Sequence, residues 1–138
     1  MKKKLNFLII CADFYSDIAD TMIANAKNYL DKKNFTYEIK RVNGSFEVPI
    51  LISMLEDKTI KKYDGIIALG CIIKGETRHF DFISSSIINK ILSLSINKKI
   101  PIGNGILTCE NMDQVKNRYE QKPIEAIEAT ISVLRSLP

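Results

Sequence analysis

The stretch from Ala68 to Phe82 combines the residue types of an anion site with the chain's only histidine, in the order Ala-Leu-Gly-Cys-Ile-Ile-Lys-Gly-Glu-Thr-Arg-His-Phe-Asp-Phe. Its apolar first half predicts the end of a buried strand, and its polar second half predicts a turn that opens a helix. The first N–H groups of such a helix are unpaired and lie at the positive end of its dipole, so they readily bind phosphate. Gly75 would let the backbone approach the anion, Glu76 would contribute its amide, and Thr77 would add a hydroxyl donor.

His79 lies about one turn from this predicted anion site. Histidine is the side chain that exchanges protons most readily near neutral pH, which makes His79 a candidate general acid and base. The alternative is a helix-capping turn with a surface histidine, because short strand-to-helix junctions that contain glycine are common. The turn by itself leaves both interpretations open.

A chain of 138 residues, 46% hydrophobic and 26% charged, has the size and composition of one globular domain, here residues 1–138. The formal charge of +4 comes partly from Lys2, Lys3 and Lys4, and the other basic residues alternate with acids, so the sequence does not favour a nucleic-acid partner. The apolar run after the lysines is too short for a secretory signal, and no run approaches the roughly 20 apolar residues of a membrane span. We expect a cytoplasmic protein without a membrane partner.

Three cysteines, Cys11, Cys71 and Cys109, are widely spaced and form no C-x-x-C pair, which argues against a disulfide framework and a zinc site. All three lie at the ends of predicted strands and therefore at one edge of a sheet. A three-cysteine metal site is the alternative; we favour small buried residues beside a ligand pocket, and no metal.

Four apolar runs predict strands, and the segments between them have mostly helical spacing. The predicted strands are Leu5 to Cys11, Phe35 to Val42 at a sheet edge, Gly65 to Ile73, and Pro101 to Cys109, in which Gly103 and Gly105 indicate a close approach by a backbone or a ligand. Five helices are predicted. They begin after Ser16 as N-cap, at Phe46 to Pro49, after the central turn, at a capping box formed by Asn111 and Gln114, and at Pro123. The segment from Lys58 to Asp64 is expected to be a polar connection.

Alternating strands and helices predict a parallel sheet with helices on both faces. Ligands bind such sheets beyond the carboxyl ends of the strands, where the strand order reverses. Four segments are expected there and could form one pocket: Asp13-Phe14, Gly44 to Glu47, Gly75 to His79, and the residues after Cys109. The apolar stripe of Ile83, Ile87 and Ile91 in the helix after the central turn is interpreted as packing.

Three stretches resemble the 6,7-dimethyl-8-ribityllumazine synthase family in order and spacing: Gly44-Ser45-Phe46-Glu47-Val48-Pro49, Leu69 to Asp81, and Gly105 to Gln114. The resemblance implies a flavodoxin-like three-layer α/β/α sandwich with a four-stranded parallel sheet. It implies homopentamers, or a pentamer-based icosahedral shell, with active sites between neighbours. The implied reaction joins 5-amino-6-(D-ribitylamino)uracil to 3,4-dihydroxy-2-butanone 4-phosphate and releases phosphate and water, without a cofactor.

The resemblance also implies roles for individual residues. For the pyrimidine, it implies that Phe14 stacks on the ring and that the backbone of Cys71, Ile72 and Ile73 binds the uracil edge. For the ribityl chain, it implies that Ser45 and Glu47 bind the hydroxyls and that Phe46 forms part of the wall. For the phosphate, it implies binding by Glu76, Thr77 and, from the adjacent subunit, Arg118, with His79 as the proton carrier.

This sequence departs from the family at three places. Asn104 stands where many members carry an aromatic residue, so this contact with the neighbour's pyrimidine could be polar. The chain between Arg118 and Pro123 is short, which leaves the alignment of Lys122 open, and the segment before the first strand is also short. A non-catalytic protein of the same fold that binds flavin or nucleotide, or one that only forms a shell, is the alternative function.

Overall fold

The computed structural model describes residues 4–76 and 79–138, and of Glu76 only the backbone. Its centre is a four-stranded, all-parallel sheet in the order β2-β1-β3-β4. The strands are β1 (Asn6–Ala12), β2 (Thr36–Val42), β3 (Gly65–Ile73) and β4 (Ile102–Cys109). The helices are α1 (Ser16–Lys32), α2 (Glu47–Met54), α3 (Asp57–Ile60), α4 (Phe80–Lys98), α5 (Met112–Arg118) and α6 (Lys122–Arg135), with a 3₁₀ turn at Lys74–Glu76.

Two apolar layers sandwich the sheet, because successive side chains of a strand point to opposite faces. One face, with Phe7 and Ile9 of β1, packs against α1, α5 and α6, and the other, with Leu8 and Ile10, packs against α2, α3 and α4. The predicted flavodoxin-like three-layer α/β/α sandwich is therefore confirmed. The predicted edge position of β2 is also confirmed, since its residues alternate between exposed and half-buried along most of the strand.

Helix α6 approaches the sheet closely over two glycines. A Cβ atom on Gly103 would lie 2.3 Å from the carbonyl oxygen of Ala126, and one on Gly65 would lie 2.6 Å from Cγ2 of Thr130. The close backbone approach that the sequence predicts for the fourth strand is thus made at Gly103 by α6, whereas a Cβ on Gly105 would lie 2.5 Å from Cδ2 of Leu69 and 2.8 Å from the carbonyl oxygen of Ala68. Only a residue without a side chain leaves room for it.

Two local predictions were wrong. Tyr15, not Ser16, is the N-cap of α1, because its carbonyl oxygen accepts the first helical hydrogen bond from the N–H of Ala19 at 2.9 Å. The predicted polar connection between 58 and 64 contains the short helix α3, whose Ile60 is buried against the sheet and anchors that turn. A single buried side chain among polar neighbours gives too weak a periodicity to predict a helix.

The predicted capping box at the start of α5 is confirmed. The Oδ1 atom of Asn111 accepts a hydrogen bond from the N–H of Gln114 at 3.0 Å, and Oε1 of Gln114 accepts one from the N–H of Glu110 at 2.8 Å. These two bonds fix the turn between β4 and α5, the helix that carries Arg118. In the part of the chain that the structure describes, no helix has the length and apolar character that crossing a membrane requires.

Candidate functional site

A cleft of about 330 Å³ opens at the carboxyl edge of the sheet, between the ends of β1 and β3. β1 has β2 on one side and β3 on the other, so the crossover connections leave this point in opposite directions and the loops separate. The residues that line the cleft are Phe14, Tyr15, Gly44, Ser45, Phe46, Cys71, Ile72, Ile73, Ile83 and Ile87. Its size is that of a small-molecule site.

The cleft brings together six of the residues that the resemblance implicates. Phe14 follows β1, and Ser45 and Phe46 follow β2. Cys71 to Ile73 end β3, next to them in the sheet. These three segments are far apart in the sequence and meet only because β2, β1 and β3 are neighbours in one parallel sheet.

Ser45 contributes a buried polar atom to this apolar cleft. Its side chain is 8% exposed, and its Oγ atom has no hydrogen-bond partner among the described residues. A buried hydroxyl without a partner costs free energy, and such groups often mark a place where a ligand or a water binds. The cleft is therefore suited to a ligand that offers a hydroxyl at this point.

Gly70 makes room for this hydroxyl, which leads to a testable prediction. A Cβ atom on Gly70 would lie 2.7 Å from Oγ of Ser45 and 3.2 Å from Cβ of Ala12. Gly70→Ala should therefore displace Ser45 and lower the free energy of unfolding by about 1 to 3 kcal/mol, measured by urea denaturation. Gly75→Ala is the control, since nothing lies within 4 Å of the added carbon; equal stability of both variants would contradict the prediction.

Phe14 presents an exposed aromatic ring at the mouth of the cleft. Its side chain is 74% exposed, and its ring packs edge-on against Tyr15 with the centroids 5.0 Å apart and the planes at 73°. An exposed ring can stack on a flat ligand. On the far side of the loop, the guanidinium of Arg41 contacts Asp20 at 2.8 Å and Asp13 at 3.7 Å, and this anchors the backbone just before Phe14.

Glu47, Glu76, Thr77 and His79 are placed differently from the six lining residues. Glu47 begins α2, and its Oε1 atom lies only 3.1 Å from where a Cβ on Gly44 would be, so the carboxylate lies against the loop that forms the cleft wall. The backbone of Glu76 ends the 3₁₀ turn after β3. Thr77 lies outside the described residues. His79 is exposed at the N-cap of α4, where its carbonyl oxygen accepts a hydrogen bond from the N–H of Ile83 at 2.8 Å.

A separate groove of about 490 Å³ runs along β4, the other edge of the sheet, and contains the remaining predicted residues. Asn104, Arg118 and Lys122 line it, between the side chain of Ile88 on one side and helices α5 and α6 on the other. Within one subunit these three residues therefore do not lie in the cleft of Phe14. The predicted single pocket is divided into a cleft and a groove.

Among the described residues, the groove carries two positive groups, Arg118 and Lys122, and one carboxylate, that of Glu125. Burial raises the pKa of the Cys109 thiol, while the charges of Arg118 and Lys122, together with a hydrogen bond from Arg118, act in the opposite direction. Both cations therefore lie close enough to Cys109 to act on the same atom. Two positive groups beside one strand end are suited to an anion such as phosphate.

The side-chain oxygen of Asn104 makes a hydrogen bond within its own strand. Its Oδ1 atom accepts a hydrogen bond from the N–H of Ile106 at 3.1 Å. β4 is an edge strand, so alternate N–H groups face outward without a neighbouring strand. Asn104 satisfies one of these groups, which the sequence did not predict.

The cysteines are mainly packing residues, as the sequence predicts. Cys11 and Cys109 are fully buried, and Cys71 is half-buried in the cleft. Burial raises the pKa of Cys11 and that of Cys71 to about 12, so these thiols are protonated at neutral pH. In the ranges 4–76 and 79–138, no three His, Cys, Asp or Glu side chains form a group that could hold a metal ion.

Sequence reasoning missed Tyr15, Ile83 and Ile87 as lining residues of the cleft. The two isoleucines were interpreted as packing, and Ile87 is indeed buried, but their position in the first turns of α4 places them beside the end of β3. Tyr15 could have been found as the aromatic neighbour of Phe14. α1 begins one residue earlier than predicted, so that Tyr15 is its N-cap.

Comparison with known proteins gives consistent matches. The family model for 6,7-dimethyl-8-ribityllumazine synthase matches residues 4–137. The chain is 42% identical over 119 residues to the 6,7-dimethyl-8-ribityllumazine synthase of Bartonella henselae, which covers 86% of this chain and 77% of the relative. The same enzyme of Agrobacterium fabrum is 41% identical over 121 residues (86% and 82% covered), and that of Afipia carboxidovorans is 34% identical over 135 residues (93% and 83%). The chain belongs to the 6,7-dimethyl-8-ribityllumazine synthase family.

Proposed function

We propose that this chain condenses 5-amino-6-(D-ribitylamino)uracil with 3,4-dihydroxy-2-butanone 4-phosphate to give 6,7-dimethyl-8-ribityllumazine, phosphate and water. The observation that carries the proposal is the cleft of about 330 Å³, where the family's motif residues meet at the carboxyl edge of the sheet. The exposed ring of Phe14 suits a flat pyrimidine, and the unpartnered hydroxyl of Ser45 suits a ribityl hydroxyl. No cofactor is required for this reaction, and a cytoplasmic location stays a prediction.

The active site is completed by a second copy of the chain. In one subunit the aromatic cleft and the cationic groove are separate cavities, yet the reaction needs the pyrimidine and the phosphorylated ketone side by side. In a closed ring with head-to-tail contacts, the groove of one copy would lie against the cleft of the next. We therefore propose a homo-oligomer, a pentamer or a shell built from pentamers.

Large apolar side chains on α2 and α4 support this assembly. Ile50 and Met54 of α2, and Phe82, Leu92 and Ile96 of α4, are between 45% and 76% exposed. Exposed apolar side chains gathered on neighbouring helices are a feature of surfaces that contact a partner. Subunit contacts would remove these side chains from water.

Most of the acceleration should come from holding the two substrates together. The amine that attacks the ketone is neutral and nucleophilic at neutral pH, so it needs little activation. Orientation of two bound reactants can supply a large part of a barrier reduction. The cleft would fix the pyrimidine, and Arg118 and Lys122 from the neighbouring subunit would fix the phosphate through charge-assisted hydrogen bonds.

His79 would move protons during imine formation, phosphate loss and ring closure. It lies at the N-terminus of α4, whose first N–H groups would bind the phosphate. Glu76 and Thr77 would hold the phosphate through backbone groups of the same turn. Glu47, at the start of α2, would accept hydrogen bonds from the ribityl hydroxyls.

The direct test mixes the two proposed substrates with the purified protein. Appearance of the lumazine absorbance, at a rate above that of the uncatalysed reaction, supports the proposal. A folded protein that binds the pyrimidine but gives no rate above background would contradict it, and would favour a non-catalytic binding protein of the same fold.

His79→Ala should lower kcat by about a hundredfold or less, at the low end of general acid–base effects. The reason is that proximity of the substrates remains when the proton carrier is lost. Steady-state rates of lumazine formation measure the effect, and binding of the pyrimidine substrate should be unchanged. Complete loss of activity in a variant with wild-type thermal stability would show that proton transfer, not positioning, supplies most of the acceleration.

A further inference from the structure

Tyr15 forms a shared wall between two cavities. It lines the cleft that also contains Phe14 and Ser45. On its other side it lines a cavity of about 410 Å³ between α1 and α5, together with Met112 and Tyr119. The half-buried Tyr15 side chain packs against the core of that face of the sheet, so its ring has a fixed position.

The ring of Phe14, in contrast, is mostly surrounded by solvent. Its side chain is 74% exposed, and its ring contacts that of Tyr15 edge-on, with centroids 5.0 Å apart. An exposed side chain samples several rotamers, and a ligand that selects one of them has to overcome that entropy. An edge-to-face contact with a fixed ring favours one orientation before the ligand arrives.

The backbone beneath Phe14 is held independently of Tyr15. Asp13 is contacted by the guanidinium of Arg41 at 3.7 Å, and its N–H donates to the carbonyl oxygen of Val42 at 2.9 Å. The loop therefore keeps its path when the Tyr15 ring is removed. What the ring adds is the orientation of the Phe14 side chain.

We propose that Tyr15 is a positioning residue for the pyrimidine substrate, because its fixed ring orients the stacking face of Phe14. This inference rests on the proposed function, since it specifies how that cleft selects a flat heterocycle. Tyr15 acts through Phe14 and takes no part in the chemical steps. The phosphorylated ketone, which binds through the turn before α4 and the groove of the neighbouring subunit, is not affected by it.

The test replaces the ring by an aliphatic side chain of similar packing volume. Tyr15→Leu should raise the KM for the ribitylaminouracil by about three- to tenfold, the range that aromatic pair energies give. The KM for the butanone phosphate and kcat should stay within about twofold, because the effect is confined to one substrate. Tyr15→Phe should restore the wild-type KM, since it retains the aromatic ring that contacts Phe14.

Tyr119→Leu is the matched control. Tyr119 is also half-buried, packs against the same core cluster and lines the neighbouring cavity, but it does not line the cleft. A general loss of packing would raise the KM in both variants. The proposal requires that Tyr119→Leu leave the KM for the pyrimidine at the wild-type value.

A double-variant cycle separates positioning from direct contact. In a Phe14→Leu background, Tyr15→Leu should change the KM for the pyrimidine by less than about twofold, because the ring that it orients is gone. An equal effect in both backgrounds would overturn the proposal, as would an unchanged KM in Tyr15→Leu alone. If Tyr15→Leu does not fold, Tyr15→Met fills the same space and replaces it. Wild-type protein that forms no lumazine would instead refute the proposed function.

Discussion

Two variants that are each nearly inactive, Phe14→Asp and Arg118→Glu, should recover about a quarter of wild-type activity when their subunits are unfolded together and reassembled. Phe14 lies in the cleft and Arg118 in the separate groove. If each active site joins the cleft of one subunit to the groove of the next, random mixing leaves about one site in four with both natural residues. The rate of lumazine formation by the mixture measures the recovery.

Each change alone should reduce the activity by about a hundredfold or more at limiting substrate. Phe14→Asp places a charge where the pyrimidine stacks, and Arg118→Glu reverses a charge that holds the phosphate. Both side chains are exposed in the isolated chain, so the fold should survive.

The control mixes Phe14→Asp with Phe46→Asp, which alter the same cleft. In that mixture every site keeps one altered residue, so no activity should return. Recovery in the control, or its absence in the Phe14 and Arg118 mixture, would show that the cleft and the groove do not combine between subunits.

Gly103→Ala should lower the free energy of unfolding by about 3 kcal/mol or more, the largest stability effect that we expect from adding a single carbon. The new Cβ would lie 2.3 Å from the carbonyl oxygen of Ala126 and 2.4 Å from Oγ1 of Thr130. A side chain could rotate away, but the backbone of α6 can move only if the helix leaves the sheet. Denaturant unfolding, followed by circular dichroism, measures the loss.

Gly65→Ala provides a matched comparison on the same helix contact. Its Cβ would lie 2.6 Å from Cγ2 of Thr130, which is a side-chain atom. In a Thr130→Ala background, Gly65→Ala should therefore become much less destabilising, whereas Gly103→Ala should stay severe because the Ala126 carbonyl remains. A rescue of Gly103→Ala by Thr130→Ala would contradict the backbone origin of its effect.

Local patterns predicted most elements well, because each of them is specified by neighbouring residues. The continuous apolar run from Gly65 to Ile73 predicted β3 with its observed bounds. The alternation from Phe35 onward placed β2 at the edge, and Asn111 with Gln114 predicted the start of α5. Helix α3 was missed because Ile60 alone is its buried residue.

The candidate site was predicted less completely, because its residues come from loops whose neighbours depend on the strand order. The turn after β3 and the loop after β2 were expected at one edge, and Phe14, Ser45 and Cys71 do meet there. Three contacts depend on three-dimensional packing: that of the Tyr15 ring with Phe14, that of Arg41 with Asp20, and the hydrogen bond from the N–H of Ile106 to the side chain of Asn104. No spacing in the sequence encodes those contacts.

The sequence by itself determined the class of the fold, its family and the chemical character of each motif, since periodicity and residue types are local properties. Only the tertiary structure decided that Asn104, Arg118 and Lys122 line a groove separate from the cleft of Phe14. The physical reason is the strand order: β4 is the outer neighbour of β3, so α5 and α6 lie beyond the point where β1 and β3 separate. The family resemblance had implied that Arg118 acts from an adjacent subunit, and this geometry supplies the physical reason for proposing one.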